Sequence, residues 1–172
     1  MSKHDISVEV NGVNQYKNVD ARMTLVDYLR EECDLTGTPV GCEHGICGAC
    51  TVEFDGSPIR SCLMFAVQAD GHRVTTVEGL AKNGQLSVLQ DAFCETHALQ
   101  CGYCTPGMLM AAGSVLKRTL QPTDDDIREA LSANICRCTG YLQIIEAVQL
   151  AAKRMRDAAN NNANVTVEVS NV

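Results

Sequence analysis

The chain has 172 residues, enough for one domain or two small ones, and 45% of them are hydrophobic, so a packed core is expected. Only 4% are aromatic and none is tryptophan, so this core must be built mainly from aliphatic side chains. The 21 acidic and 14 basic residues give a net charge of −7, which disfavours a nucleic-acid partner.

The N-terminal segment MSKHDISVEVNG is polar and strand-like from its start, and it lacks the apolar core of a signal peptide. No apolar run in the chain reaches the roughly 20 residues that a membrane-spanning helix needs. We therefore expect a cytoplasmic protein.

The first half of the chain has the pattern of short strands and one helix. The segments ISVEV and VNQYKNV flank an Asn-Gly turn and predict a hairpin. TLVDYLREE predicts a short helix with Thr24 as N-cap and an apolar face formed by Leu25, Tyr28 and Leu29. A cysteine-rich loop follows, then a second hairpin from CTVEF and SPIRSCLMF, and a last strand over HRVTTVE. Strands of this length with one helix favour a compact α+β domain.

From Leu80 onward, the pattern is helical. Four helices are predicted, over SVLQDAFCETHAL, TPGMLMAAGSVLKRTL, TDDDIREALS and QIIEAVQLAAKRMRDA, and their short connections favour a small helical bundle. The expected N-terminal caps are Ser87 (with Gln90 in a capping box), Thr105 and Thr123. The acidic run at 124–126 is interpreted as a helix start rather than a metal site, because carboxylates favour the positive end of a helix dipole.

The fourth predicted helix ends with three basic residues, Lys153, Arg154 and Arg156. We interpret them as favourable charges at the negative end of the helix rather than as a binding patch. The whole pattern divides the chain into a sheet domain at 1–79, a helical domain at 80–160 and an Asn-rich flexible tail at 161–172.

Ten cysteines in a reducing compartment require an explanation. A disulfide framework is typical of small secreted domains. This chain lacks the signal peptide and the cysteine density of such domains. Metal ligation is therefore the favoured interpretation, and eight of the cysteines fall into two sets.

The first set is Cys42, Cys47 and Cys50, with Cys62 after eleven intervening residues. The spacing C-x4-C-x2-C with a distant fourth cysteine is typical of plant-type [2Fe–2S] sites. Glycines within the loop would let it wrap closely around a cluster and direct backbone N–H groups at the sulfurs. Structural zinc is the alternative, but its ligands usually come as paired C-x2–4-C knuckles. His44 is interpreted as a solvated loop residue, since four thiols already complete the set.

The second set is Cys101 and Cys104 in CGYCTPG, with Cys136 and Cys138 in CRCTGY. Each pair is followed by a threonine and a helix start, so two helix N-termini would converge on one site and favour an anionic cluster there. This spacing is less specific than the first, and zinc stays an alternative. The remaining Cys33 and Cys94 are interpreted as small core residues.

Four stretches occur in order between residues 41 and 141: GCEHGICGACTV, SCL, QCGYCTPGM and NICRCTGY. They resemble the small iron–sulfur subunit of the molybdenum hydroxylases, the xanthine oxidase family, and the resemblance extends over roughly residues 5–155. It implies an N-terminal β-grasp, ferredoxin-like domain and a C-terminal four-helix bundle, each with one [2Fe–2S] cluster. It also implies a bacterial-type heterotrimer, assembled as a dimer of heterotrimers. Its large subunit would carry molybdopterin, often as the cytosine dinucleotide, and its medium subunit FAD.

The resemblance assigns an outer cluster, toward FAD, to the first cysteine set and an inner cluster, toward molybdenum, to the second. The outer ligands would be Cys42, Cys47, Cys50 and Cys62, and the inner ligands Cys101, Cys104, Cys136 and Cys138. By the same resemblance, Gln100 would approach the pterin and Cys138 would lie beside the pterin amino group. From the residues alone, Gln100 would be interpreted as a polar cap in a loop.

The resulting hypothesis is an electron-transfer subunit with no substrate-converting residue of its own, which passes electrons singly through the inner and outer clusters to FAD. Two alternatives stay open: a free-standing ferredoxin-like carrier, which would need only the first cysteine set, and a zinc-stabilised interaction module. The substrate pocket would belong to the large subunit, and an N-heteroaromatic substrate is a working hypothesis.

Overall fold

A computed structural model describes the backbone of residues 2–169 and the side chains of residues 2–161. Its five strands are β1 (Lys3–Val10), β2 (Val13–Asp20), β3 (Thr51–Phe54), β4 (Ser57–Arg60) and β5 (Arg73–Thr75). They form one sheet in the order β2-β1-β5-β3-β4, in which β1 and β5 run parallel and the other neighbours antiparallel. Both predicted hairpins are therefore confirmed.

The predicted first helix begins as α1 (Leu25–Asp27) and continues as a π-helical turn over Tyr28–Glu32. Thr24 is its N-cap, because its hydroxyl accepts the N–H of Asp27. The predicted apolar face is fully buried and packs against the inward-facing side chains of the sheet. This burial gives the sheet half a core of its own.

Two predicted strands are shorter than expected, because the chain turns away from the sheet into 3-10 helices. One of these, Ser61–Leu63, directly follows β4, and the other, Val77–Leu80, follows β5 after one residue. At the first turn, the N–H of Ser61 donates to the carbonyl oxygen of Cys50 at 3.3 Å, and its hydroxyl donates to the same oxygen at 2.7 Å. These contacts hold Cys62 beside the end of the cysteine-rich loop.

The second half contains the four predicted helices: α2 (Val88–Glu95), α3 (Thr105–Arg118), α4 (Asp124–Leu131) and α5 (Leu142–Val169). The capping boxes at Ser87 and Thr123 are present as predicted. All four helices contribute to one hydrophobic core, whose fully buried side chains include Phe93, Met108, Ile127 and Ile144.

Two predicted helix ends are wrong. Thr105 is not the cap of α3; the helix starts at Thr105 itself, with Cys104 in the N-cap position. The predicted last turn, with Lys153, Arg154 and Arg156, lies inside α5. This helix continues to Val169 and has no basic residue in its last turn. Instead, Arg154 donates to a carboxylate oxygen of Glu95 at 2.5 Å, which ties α5 to α2. The predicted tail boundary at 161 falls within α5, and residues 170–172 lie outside the described part of the chain.

The sheet and the helices meet where α3 packs against the cysteine-rich loop. An ion pair between Lys117 and Glu53 joins α3 to β3. A Cβ atom added at Gly107 would come within 3.0 Å of the carbonyl oxygen of Ala49 and still closer to that of Gly48. Glycine is therefore required at this crossing for the two backbones to approach. Within residues 2–169, no helix has both the length and the hydrophobicity to cross a bilayer.

Two alanine substitutions in α3 test this close approach. Gly113→Ala should increase the free energy of unfolding by about 0.5–1 kcal/mol, because a glycine inside a helix costs conformational entropy and a Cβ there meets nothing within 4 Å. Gly107→Ala should lower it by about 1–3 kcal/mol, because the added methyl overpacks the crossing. Denaturant unfolding of the iron-loaded protein measures both. Equal effects of the two substitutions would contradict a tight crossing.

Candidate iron–sulfur sites

The first cysteine set lies on a loop whose backbone only glycine accommodates easily. Gly45 and Gly48 have φ angles of +82° and +74°. Residues with a Cβ atom rarely adopt positive φ angles, whereas glycine adopts them at little cost. A Cβ on Gly45 would collide with the side chain of Leu63, and one on Gly48 would lie 2.6 Å from the carbonyl oxygen of Ala133. The glycines thus serve both the curvature of the loop and its contact with the helical half.

The four thiols of this set lie together as two pairs. The Cys47 thiol lies beside that of Cys42, and the Cys62 thiol lies beside that of Cys50. The two pairs are close enough for Cys42 and Cys62 to interact electrostatically. The structure therefore brings together the four residues that the sequence predicted as one site.

Backbone amides favour the thiolate at the exposed side of the first set. The N–H of Cys47 donates to the sulfur of Cys42 at 3.4 Å, and this contact, with amides of His44 and Ile46, lowers the pKa of Cys42 to about 6. At the buried side, burial and then the neighbouring Cys50 thiol raise the pKa of Cys62 to about 11. Iron binds cysteine as the thiolate. The positive charge of bound iron would therefore deprotonate Cys62 as well as Cys42, although their pKa values differ in its absence.

The second cysteine set also forms two contacting pairs. The Cys104 thiol lies beside that of Cys136, and the Cys138 thiol lies beside that of Cys101. Burial, and then the adjacent Cys136 thiol, raises the pKa of Cys104 to about 12. Cys101 and Cys138 are exposed, whereas Cys136 is buried, so one edge of this site is open. As predicted, the N-termini of α3 and α5 follow its two cysteine pairs closely in sequence.

Cys136 is surrounded by hydrogen-bond donors. The Thr139 hydroxyl donates to its sulfur at 3.1 Å, and the Thr139 N–H donates to it at 3.5 Å. Burial alone would raise the pKa of Cys136, but these donors and the N–H of Cys138 lower it on balance. These hydrogen bonds therefore stabilise Cys136 as a thiolate.

The donor chemistry fits a binuclear iron–sulfur group. A [2Fe–2S] cluster takes four thiolates, and each quartet here consists of two contacting pairs. Next to Cys104, the buried hydroxyl oxygen of Thr105 has no hydrogen-bond partner in the part of the chain that the structure describes, although such groups are ordinarily paired. Among the described residues, no three His, Cys, Asp or Glu side chains surround a position for a single metal ion.

The two cysteine loops are hydrogen-bonded to each other. The N–H of Ile135 donates to the carbonyl oxygen of Cys47 at 2.9 Å. Cys47 belongs to the first predicted ligand set, and Ile135 directly precedes Cys136 of the second. Beside this bond, Asn134 is buried to 2% exposure, and its side-chain amide donates to the carbonyl oxygen of Gly48 at 2.9 Å. Tyr103, between the first two cysteines of the second set, donates to the carbonyl oxygen of Val40 at 2.6 Å.

Arg60 closes this junction from the sheet side. Its guanidinium donates to the carbonyl oxygen of Ala133 at 2.5 Å, to Asn134 at 3.3 Å and to the hydroxyl of Thr51 at 2.6 Å. Sequence reasoning missed both Asn134 and Arg60, because the partners that join the two halves, Gly48 for Asn134 and Ala133 for Arg60, are more than 70 residues away in the chain. Their only sequence signal is the position of each next to a predicted ligand segment.

The other residues singled out by the sequence lie at the surface or away from the thiols. His44 is exposed, as expected for a solvated loop residue, and Gln100 is exposed beside Cys101. Cys33 is partly buried against the core of the sheet half, which confirms its predicted packing role. The same prediction is wrong for Cys94, which is exposed on α2.

Two family models match the chain in succession. Residues 8–81 match a 2Fe-2S iron-sulfur cluster binding domain, and residues 76–149 match a [2Fe-2S] binding domain.

Similar proteins match nearly the whole chain. The caffeine dehydrogenase subunit gamma of Pseudomonas sp. (strain CBB1) is 57% identical over 87% of this chain and 91% of its own length. The nicotine 6-hydroxylase small subunit of Paenarthrobacter nicotinovorans is 55% identical, over 84% and 87% of the two chains. Among solved structures, a chain of quinoline 2-oxidoreductase from Pseudomonas putida 86 superposes with a TM-score of 0.87 at 49% identity, over 90% of this chain and 97% of that one.

The loop junction leads to a stability prediction. Asn134→Ala should lower the free energy of unfolding by about 1–3 kcal/mol, because it removes the hydrogen bonds that this buried side chain makes with Gly48, Thr51 and Arg60. Asn18→Ala is the matched control: Asn18 donates to Asp5 at an exposed site, so its loss should change stability by less than about 0.5 kcal/mol. Denaturant unfolding of the iron-loaded protein compares them, and an Asn134→Ala effect as small as the control's would contradict a structural junction.

Proposed function

This chain belongs to the small [2Fe–2S] subunits of the molybdenum hydroxylase family, and we propose that it relays electrons from molybdopterin in a large subunit to FAD in a medium subunit. Its relatives are named as gamma or small subunits of dehydrogenases and hydroxylases, which supports partner chains of this kind. The relay would use two clusters, each of which takes up and releases one electron at a time when bound.

The proposed ligands are the eight cysteines of the two sets. The pairing of their thiols supports an assignment of two thiolates to each iron. In the outer site the pairs are Cys42 with Cys47 and Cys50 with Cys62. In the inner site they are Cys104 with Cys136 and Cys101 with Cys138.

The observation that carries this proposal is the backbone hydrogen bond between the two cysteine loops. It joins Cys47, a proposed outer ligand, to Ile135, which precedes the proposed inner ligand Cys136. Apart from this bond, the path from the sulfur of Cys47 to the sulfur of Cys136 runs only through covalent bonds of Cys47, Ile135 and Cys136. We propose that it fixes the separation of the two sites and forms part of the electron path between them.

The two ends of the relay differ in exposure. At the inner site, Cys101, Cys138 and Gln100 form an exposed edge, on which we place the pterin contact of the large subunit. At the outer site, the exposed apolar side chains of Ile46 and Leu63 flank the loop, a composition suited to burial against the medium subunit.

We propose that the chain folds as a β-grasp domain followed by a four-helix bundle. The sheet order, with β1 and β5 parallel and one helix packed on the sheet, supports a β-grasp domain at 1–79. The shared core of the last four helices supports a four-helix bundle at 80–160, and the meeting of the two matched family segments near residue 80 supports this division. The part of α5 that follows residue 160, up to Val169, would then extend beyond the bundle.

We further propose a dimer of heterotrimers with a molybdopterin cytosine dinucleotide. A reducing, cytoplasmic location suits eight thiols that must stay unpaired to bind iron. Caffeine, nicotine and quinoline appear in the names of similar enzymes, which supports an N-heteroaromatic substrate for the enzyme that contains this chain.

Iron analysis and electron paramagnetic resonance test the two-cluster relay. The purified complex should contain about four irons per small subunit, because each [2Fe–2S] cluster holds two. Cys138→Ser should abolish flavin reduction by substrate and remove one of two paramagnetic signals after dithionite reduction, while the outer signal persists.

Other outcomes would reject the proposal in distinguishable ways. Loss of the outer signal in Cys138→Ser would show that the ligands are divided wrongly. A colourless protein that contains zinc would support an interaction module instead. Isolation of an iron-loaded chain without larger partners would support a free-standing carrier.

A second substitution tests the contact at the exposed edge. Gln100→Ala should slow flavin reduction by substrate or lower the molybdopterin content of the complex, because a polar contact with the pterin is lost. Gln121→Ala, at another exposed glutamine, is the matched control and should change neither. Stopped-flow flavin reduction and cofactor analysis measure the two effects, and a Gln100→Ala complex indistinguishable from the control would contradict the contact.

A further inference from the structure

The turn that follows the second cysteine set holds one hydroxyl group against a single sulfur. The Thr139 hydroxyl donates to the sulfur of Cys136 at 3.1 Å, and its oxygen accepts the N–H of Tyr141 at 3.2 Å. A threonine hydroxyl has only one proton. Since the oxygen already accepts from Tyr141, its proton is directed at the sulfur.

Tyr141 fixes this arrangement from two directions. Its φ angle is +70°, an unusual value for a residue with a side chain, and it follows Gly140 at +66°. Its hydroxyl accepts the N–H of Cys136 at 2.9 Å and donates to the carbonyl oxygen of Asn134 at 3.2 Å. The turn is thus closed onto Cys136 by both the backbone and the side chain of Tyr141.

The chemistry of an iron–sulfur site gives this hydrogen bond a consequence. Reduction adds negative charge to the cluster and its sulfur ligands, so a donor to a sulfur stabilises the reduced state more than the oxidised state. Hydrogen bonds to the sulfurs are one of the means by which proteins set cluster potentials.

We propose that the Thr139 hydroxyl raises the reduction potential of the inner cluster through its hydrogen bond to Cys136, and that Tyr141 is the residue that positions it. This inference rests on the proposed function, since it requires a cluster at the second cysteine set. A raised potential at this site would favour arrival of electrons from the molybdenum side.

Three substitutions in the intact complex separate this role from a structural one. Thr139→Val has nearly the same shape but lacks the hydroxyl, whereas Thr139→Ser retains it. Thr96→Val is the matched control, because Thr96 is also partly buried in the helical half but its one hydroxyl proton is shared between the nearby carbonyl oxygens of Ala92 and Gln143 and does not reach a thiol. Redox titration followed by electron paramagnetic resonance gives the midpoint potential of each cluster, with the outer cluster as internal reference.

The midpoint potential of the inner cluster should fall in Thr139→Val and stay at the wild-type value in Thr139→Ser and Thr96→Val. The outer cluster should not change in any variant. An unchanged inner potential in Thr139→Val, or an equal shift of both clusters, would overturn the inference. Absence of paramagnetic signals in the wild type would instead reject the proposed function itself.

A second measurement decides the case if Thr139→Val does not retain the inner cluster. In D2O, hyperfine spectroscopy of the reduced inner cluster should detect, in the wild type and in Thr139→Ser, an exchangeable deuteron that couples more strongly than that of the residue 139 N–H, because the hydroxyl oxygen lies 3.1 Å from the Cys136 sulfur and the amide nitrogen 3.5 Å from it. If no such deuteron is coupled to the inner cluster, the inference is wrong.

Discussion

The structure depends on the close contact between two cysteine loops that are about 90 residues apart in the chain. One backbone hydrogen bond, from Ile135 to Cys47, holds the loops in register, and the buried side-chain amide of Asn134 donates to the neighbouring carbonyl oxygen of Gly48 and to the hydroxyl of Thr51. A buried polar network of this kind stabilises only if all its members are paired. Here Arg60 supplies the remaining donors from the sheet half.

This contact explains features that neither cysteine set explains by itself. Gly48 and Gly107 meet at the crossing of the first loop with α3, where a side chain on either would enter the neighbouring backbone. The sheet half and the helical half have separate hydrophobic cores, so their relative position depends on this junction and on the ion pair from Lys117 to Glu53. Fixing that position fixes the separation of the two thiol quartets, on which electron exchange between them depends.

Local features of the chain could be predicted from the sequence because their causes are local. The spacing of the cysteines, the Asn-Gly turn and the caps at Thr24, Ser87 and Thr123 each involve residues a few positions apart. The features that could not be predicted depend on distant partners. Asn134 and Arg60 show no pattern of their own, and the exposure of Cys94 depends on which side of α2 the other helices cover.

The central claim, two clusters held at a fixed short separation by the joined loops, is tested most directly by the magnetic interaction between them. In the fully reduced complex at low temperature, the account predicts two paramagnetic centres per small subunit, each with its signal split by the other. The splitting should disappear when a partial reduction leaves only one centre paramagnetic. Two signals that show no mutual splitting, or a single centre per chain, would contradict it.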